Sequence, residues 1–167
     1  QEMDLEYEKS EDAKKNNDWV LAKQIVTPLA EKGHAKSQGR LGSIYLLGLG
    51  GSKDLKKAFK WLKLGADQGY DLAQNNLAEM YSRGDGVPQD YKEAVRLYRL
   101  SAEQGYAPAQ SNLGVMYEKG LGVPQDYKEA VKWLRLSAEQ GDAQAQYNLG
   151  LMYANGQGVP QDYKEAL

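Results

Sequence analysis

Between Tyr106 and Gly141 the apolar residues fall at helical spacing in two separate runs. Leu113, Met116 and Tyr117 stand at i, i+3 and i+4, which predicts an amphipathic helix. Ala130, Trp133, Leu134 and Ala138 form the buried stripe of a second. Gly120 and Gly122 end the first helix, and Val123-Pro124-Gln125 makes the turn. Pro108 suits an opening helical turn, where a missing N–H would have no partner anyway. Asp126 followed by Glu129 has the form of a capping box, with aspartate in place of serine or threonine. Gly141 stands where a left-handed C-terminal cap belongs. The unit reads as helix, turn, helix.

That unit recurs. Gln-Asp-Tyr-Lys-Glu-Ala begins at Gln89, Gln125 and Gln161, 36 residues apart. A second block keeps the same interval, from Ala35 to Tyr45, Asp71 to Tyr81, Ala107 to Tyr117 and Ala143 to Tyr153. Units this short cannot bury their own apolar faces and stack on their neighbours as an all-α solenoid. The repeats divide as 34–69, 70–105, 106–141 and a partial 142–167. Small residues recur at Gly42, Ala78, Gly114 and Gly150, and at Ala66, Ala102 and Ala138. Large ones occupy complementary places, at Leu41, Leu77, Leu113 and Leu149, then Trp61, Leu97 and Trp133. This alternation predicts where helix axes approach closely. Asp90 with Glu93 and Asp162 with Glu165 repeat the start signal, whereas Asp54 meets Lys57, which predicts a weaker start there.

Residues 1–33 break the template. Asp12 and Lys14 replace the paired glycines, and Pro28 interrupts the second-helix pattern. Residues 2–15 and 18–32 read as a divergent, tetratricopeptide-like hairpin capping the stack. At the other end Leu167 falls one turn into a second helix, so the Leu149 and Tyr153 face is expected to lie uncovered and the natural chain to continue. The oligomeric state is open, with end-to-end contact through that repeat as one route.

Composition narrows the function. The formal charge is −2 with both signs interspersed, and no basic stripe matches a phosphate backbone, which argues against nucleic acid. No apolar run reaches the roughly 20 residues of a membrane span, and mean hydropathy is −0.70. There is no cysteine, hence neither disulfide nor thiolate chemistry. The chain starts at Gln1 rather than methionine, which leaves export in a bacterium after signal removal and the cytoplasm both open.

Ala-x-Ala-Gln-x-x-Leu-Gly-x-Met-Tyr followed by Gly-x-Gly-Val-Pro-Gln-Asp-Tyr-x-x-Ala, as in Ala107 to Ala130, resembles the Sel1-like repeat, a relative of the tetratricopeptide repeat. The ending Ala-Glu-Gln-Gly at Ala102–Gly105 and Ala138–Gly141 belongs to the same signature. The resemblance covers residues 35–167. It implies a right-handed α/α superhelix with the first helix of each repeat on the concave face, and an adaptor role that holds proteins or peptides together. Some cysteine-rich bacterial members carry a disulfide in each repeat; this chain has none.

Candidate chemistry is sparse. The Gly-x-Gly pairs never complete a phosphate-binding fingerprint and suit helix termination. His34, the single histidine, has no visible metal or triad companions in sequence. No catalytic residue, metal site or cofactor is expected. Positions that differ between repeats are free to serve a ligand. On the tetratricopeptide alignment they include Asn75, Glu79 and Arg83, then Ser111, Val115 and Lys119, then Tyr147, Leu151 and Asn155. Tyr147 stands out, because Gly39, Asn75 and Ser111 fill its slot elsewhere. Asn76, Asn112 and Asn148, with Arg40 in the same slot, suit either a bond to a peptide backbone or, by preference, a tie to the neighbouring repeat. The leading expectation is a non-catalytic scaffold binding a peptide or protein on the concave face. An enzyme or small-molecule binder, as proposed for some relatives, and a structural spacer are the alternatives.

Overall fold

The computed structural model describes residues 1–167 as nine helices without a strand. They are α1 (Glu2–Lys15), α2 (Trp19–Glu31), α3 (Ala35–Leu47), α4 (Leu55–Asp67), α5 (Asp71–Arg83), α6 (Tyr91–Glu103), α7 (Ala107–Lys119), α8 (Tyr127–Glu139) and α9 (Ala143–Asn155). The fold is an all-α array of helical hairpins, and no helix is long and apolar enough to cross a membrane. Two compact units divide it: Gln1–Gln89 with α1–α5, and Asp90–Leu167 with α6–α9.

In the first unit Tyr7, Val26, Leu29, Ala30, Leu41 and Ile44 form one buried cluster, with Trp19, Tyr45 and Trp61 packed against it. Gly42 is small because Leu62 fills the space beside it; a Cβ there would lie 2.6 Å from Leu62 Cγ. Helix α2 continues through Pro28. Pro28 lies in the last turn, where a proline removes only one ladder bond, and the Thr27 hydroxyl donates to the Lys23 carbonyl at 2.7 Å. In the second unit Ala130, Val131, Leu134, Ala145 and Met152 are the buried cluster, flanked by Tyr117, Tyr127 and Leu149. Gly114 repeats the glycine-on-leucine contact, with Leu134 Cγ 2.7 Å from its would-be Cβ.

Second helices start on aspartate caps. Asp90 accepts from the Glu93 N–H at 3.0 Å and Asp126 from the Lys128 and Glu129 N–H groups. Asp54 keeps its cap on α4, accepting from the Lys57 N–H at 2.9 Å. The glutamate of a capping box is dispensable because the cap's own N–H is already used. Asp54 and Asp126 donate it to the Tyr45 and Tyr117 carbonyls at 2.9 and 3.0 Å. Glu93 pairs with Arg96 instead.

The two glycines of each turn do different work. Gly120 ends α7 in the left-handed region at φ 66°. Gly158, also at positive φ, brings the loop against the start of α8, where a Cβ would lie 2.5 Å from the Tyr127 carbonyl oxygen. After Asp162 the chain forms a turn rather than a helix, although Ala166 N–H still reaches the Asp162 carbonyl at 3.2 Å.

Candidate interaction surface

The first helices of the repeats carry the residues that differ from one repeat to the next. Their exposure separates the sequence candidates into two groups. Asn75 and Ser111 are buried, each 4% exposed. Gly39 explains the slot they share: a Cβ there would collide with the Tyr70 ring and touch Ala73, both at the start of the next repeat. That position faces along the stack, not outward. Tyr147 occupies the same slot on α9 and is 63% exposed, with Leu151 one turn on at 45%. Val115 is half-buried, while Lys119 and Asn155 are exposed. The asparagine slot beside these works as a tie, since Asn76 Nδ2 donates to Ser43 Oγ at 2.8 Å and links α5 to α3.

In the first unit, Leu46 and Leu47 of α3, Glu79, Met80 and Arg83 of α5, and Lys53 and Asp85 from the adjoining loops line a pit of about 70 Å³. Leu47 is 65% exposed. Burial raises the Glu79 pKa above the usual carboxylate range, Asp85 adds to the rise, and Arg83 only partly opposes it. Arg83 Nη2 lies 3.5 Å from Glu79 Oε1, with the arginine side chain largely in solvent. Lys53 and Asp85, both in loops, carried no helical signal in the sequence and were missed.

A larger cavity, about 730 Å³, lies in the second unit against α8, α9 and the last turn. Tyr147, Leu149, Leu151 and Ala154 line it, together with Arg135. Arg135 Nη2 donates to the Tyr153 hydroxyl at 2.9 Å. Arg99 does the same for Tyr117 at 2.6 Å.

One group has the outward form of hydrolytic machinery. His34 Nδ1 lies 2.7 Å from Ser37 Oγ, and its Nε2 lies 3.2 Å from Asp4 Oδ1. Ser37 is completely buried, so its hydroxyl meets no substrate, and the trio instead ties α1 to the start of α3. Beside it Arg40 is buried and bonds Glu11 at 2.5 Å and the Tyr7 hydroxyl at 3.3 Å. Burial pushes Glu11 upward, but Arg40, Tyr7 and Lys14 together hold its carboxyl below the usual range. No group of three or more His, Asp and Glu side chains is placed to hold a metal ion.

The Sel1 repeat profile matches residues 35–70, 71–106, 107–142 and 143–167. This chain is a Sel1 repeat protein. It is 33% identical to a Sel1 repeat protein from Oxalobacter formigenes over 96% of its length, with a TM-score of 0.85, and covers 64% of that chain. It is 45% identical to c5321, a protective antigen of uropathogenic Escherichia coli with an SLR fold, over 86% of its length at a TM-score of 0.79. There it covers 31% of the relative, so the chain spans about a third of one relative and just under two-thirds of the other. Helicobacter pylori cysteine rich protein B shares the fold, at 21% identity and a TM-score of 0.59, over 74% of this chain and 93% of its own. Among curated proteins none matches the sequence. Sel1 repeat proteins are generally protein-interaction scaffolds rather than enzymes.

Proposed function

We propose that this chain is a non-catalytic interaction module that binds a peptide or a helix of a partner protein on first-helix faces, the one lined by α3 and α5 within the first unit and the one lined by α7 and α9 within the second. The observation that carries the reading is where large apolar side chains meet solvent. Leu47 and Leu151 are exposed on first helices at positions that vary between repeats. Such side chains supply contact area at low entropic cost and dominate interface energetics when buried by a partner. Lys119 stands at the end of α7, where it adds charge selectivity.

Second helices offer the competing surface. Leu64, Leu100 and Leu136 are each 40% exposed and are one residue type throughout, which suits uniform contact more than recognition of a particular sequence. A peptide selected from a random displayed library separates the two. Alanine at Leu151 or Lys119 is expected to weaken a peptide bound to the second unit at least tenfold, roughly 1.4 kcal/mol, with circular dichroism unchanged. Lys132→Ala and Leu136→Ala on α8 are expected to leave binding within twofold. The reverse pattern places the partner on the second helices and overturns the proposal.

A further inference from the structure

We infer that the pit between α3 and α5 is a subsite for one arginine side chain of the bound peptide. This rests on the reading of the first-helix face as the peptide surface. Glu79 sits in that pit about one-third exposed and accepts no hydrogen bond; its one ionic partner is Arg83, at 3.5 Å. Arg83 is 68% exposed, so its guanidinium leaves for solvent readily when a better-placed cation enters. Lys53 forms no ion pair with Glu79 or with Asp85. A carboxylate withdrawn from water with one long, loose partner is an unfilled acceptor. A guanidinium placed on it forms charge-assisted, two-pronged bonds, the strong class of side-chain hydrogen bond.

The walls fit the rest of an arginine. Leu46 and the mostly exposed Leu47 form an apolar ledge, on which a three-methylene stem lies while its charged head reaches inward. At about 70 Å³ the pit has the room of roughly two waters, by a share of ~30 Å³ each, which suits a planar head and excludes an aromatic ring system. Asp85 at the rim adds a second negative charge. Lys53 and Arg83 line the same pit, and the incoming arginine takes the place that Arg83 leaves beside Glu79.

The subsite also fixes register. At the Glu79 slot the other repeats carry Ser43, Val115 and Leu151, none of them acidic. One arginine per peptide therefore has one place to go, and near-identical repeats are told apart by a single side chain.

The test uses three capped pentapeptides, acetyl-Ala-Leu-X-Leu-Ala-amide, in which X is arginine, citrulline or glutamate. Citrulline keeps the shape of arginine without its charge. Amide shifts are followed for the whole chain and for Glu79→Gln, whose fold is checked by circular dichroism. The arginine peptide is expected to shift the amides of Leu46, Leu47 and residues 79–85 and to lower the Glu79 carboxyl pKa at saturation. Citrulline, or Glu79→Gln, is expected to weaken binding at least tenfold. Equal affinity in either case, preference for the glutamate peptide, or no shift in the pit overturns the subsite. Shifts elsewhere on the exposed sides of α3 and α5, indifferent to Glu79→Gln, overturn it while leaving the peptide-binding face intact. Shifts confined to second helices overturn both.

Discussion

Gly114 has no side chain because Leu134 stands where one would be. Gly114→Leu is expected to destabilise the second unit by about 1–3 kcal/mol or more, as overpacking of a close helix contact does. A urea midpoint equal to that of the parent chain contradicts the packing account. Glu79 carries the opposite kind of tension, since burial raises its pKa. An acid whose folded pKa lies above its unfolded value binds protons more tightly when folded, so its penalty appears as pH rises through that folded value. Glu79→Gln is therefore expected to melt higher than the parent chain at pH 7, with the gain shrinking as pH falls through the raised pKa. A gain that persists at pH 3 counts against this. Such small-residue contacts were legible because they recur at fixed spacing. Asn75 and Ser111 were not: variation between repeats marks a slot as unconstrained in identity without saying whether it faces solvent or the next repeat. The Tyr70 ring against Gly39 is what decides it.

Among the elements, α1 is held differently from the rest. It buries only Tyr7, Ser10 and Ala13, so its docking leans on polar contacts, above all Glu11 with Arg40. Glu11 has a lowered pKa; its stabilisation is present above the ordinary carboxylate range and is lost as pH falls through the folded value. Hydrogen exchange in residues 2–15, corrected for intrinsic rate, is expected to accelerate over that acid window ahead of α3 and α4. Glu11→Gln should bring the same loosening to pH 7, at a cost of about 2 kcal/mol, between a charge-assisted hydrogen bond and a fully buried pair. Equal protection of α1 in both chains contradicts the assignment. In the second unit α9 buries only Ala145, Gly150 and Met152, against six residues in α7. It is expected to open at lower free energy than α7 or α8 by native-state exchange. Element boundaries were legible from glycine, proline and aspartate punctuation. At Pro28 and Asp54 the surroundings absorb the cost of breaking a local rule: a last-turn position in one case, the Tyr45 carbonyl in the other.

For the whole molecule the 36-residue period made the repeat fold readable before any coordinate, and the Sel1 profile covers 35–167. The candidate surface was only half readable. Glu79, Arg83, Tyr147 and Leu151 emerged as the odd members of regular positions, whereas Lys53 and Asp85 enter through loops that the helical pattern does not describe. The central claim is that variable, exposed residues of the first helices bind a partner chain while the repeat-identical residues hold the stack. Amide-shift mapping with a library-selected peptide tests it most directly. Shifts concentrated on the exposed sides of first helices, abolished in the second unit by alanine at Leu151 and Lys119, are the expected result. Shifts concentrated around Leu64, Leu100 and Leu136 on α4, α6 and α8, untouched by those substitutions, would contradict it.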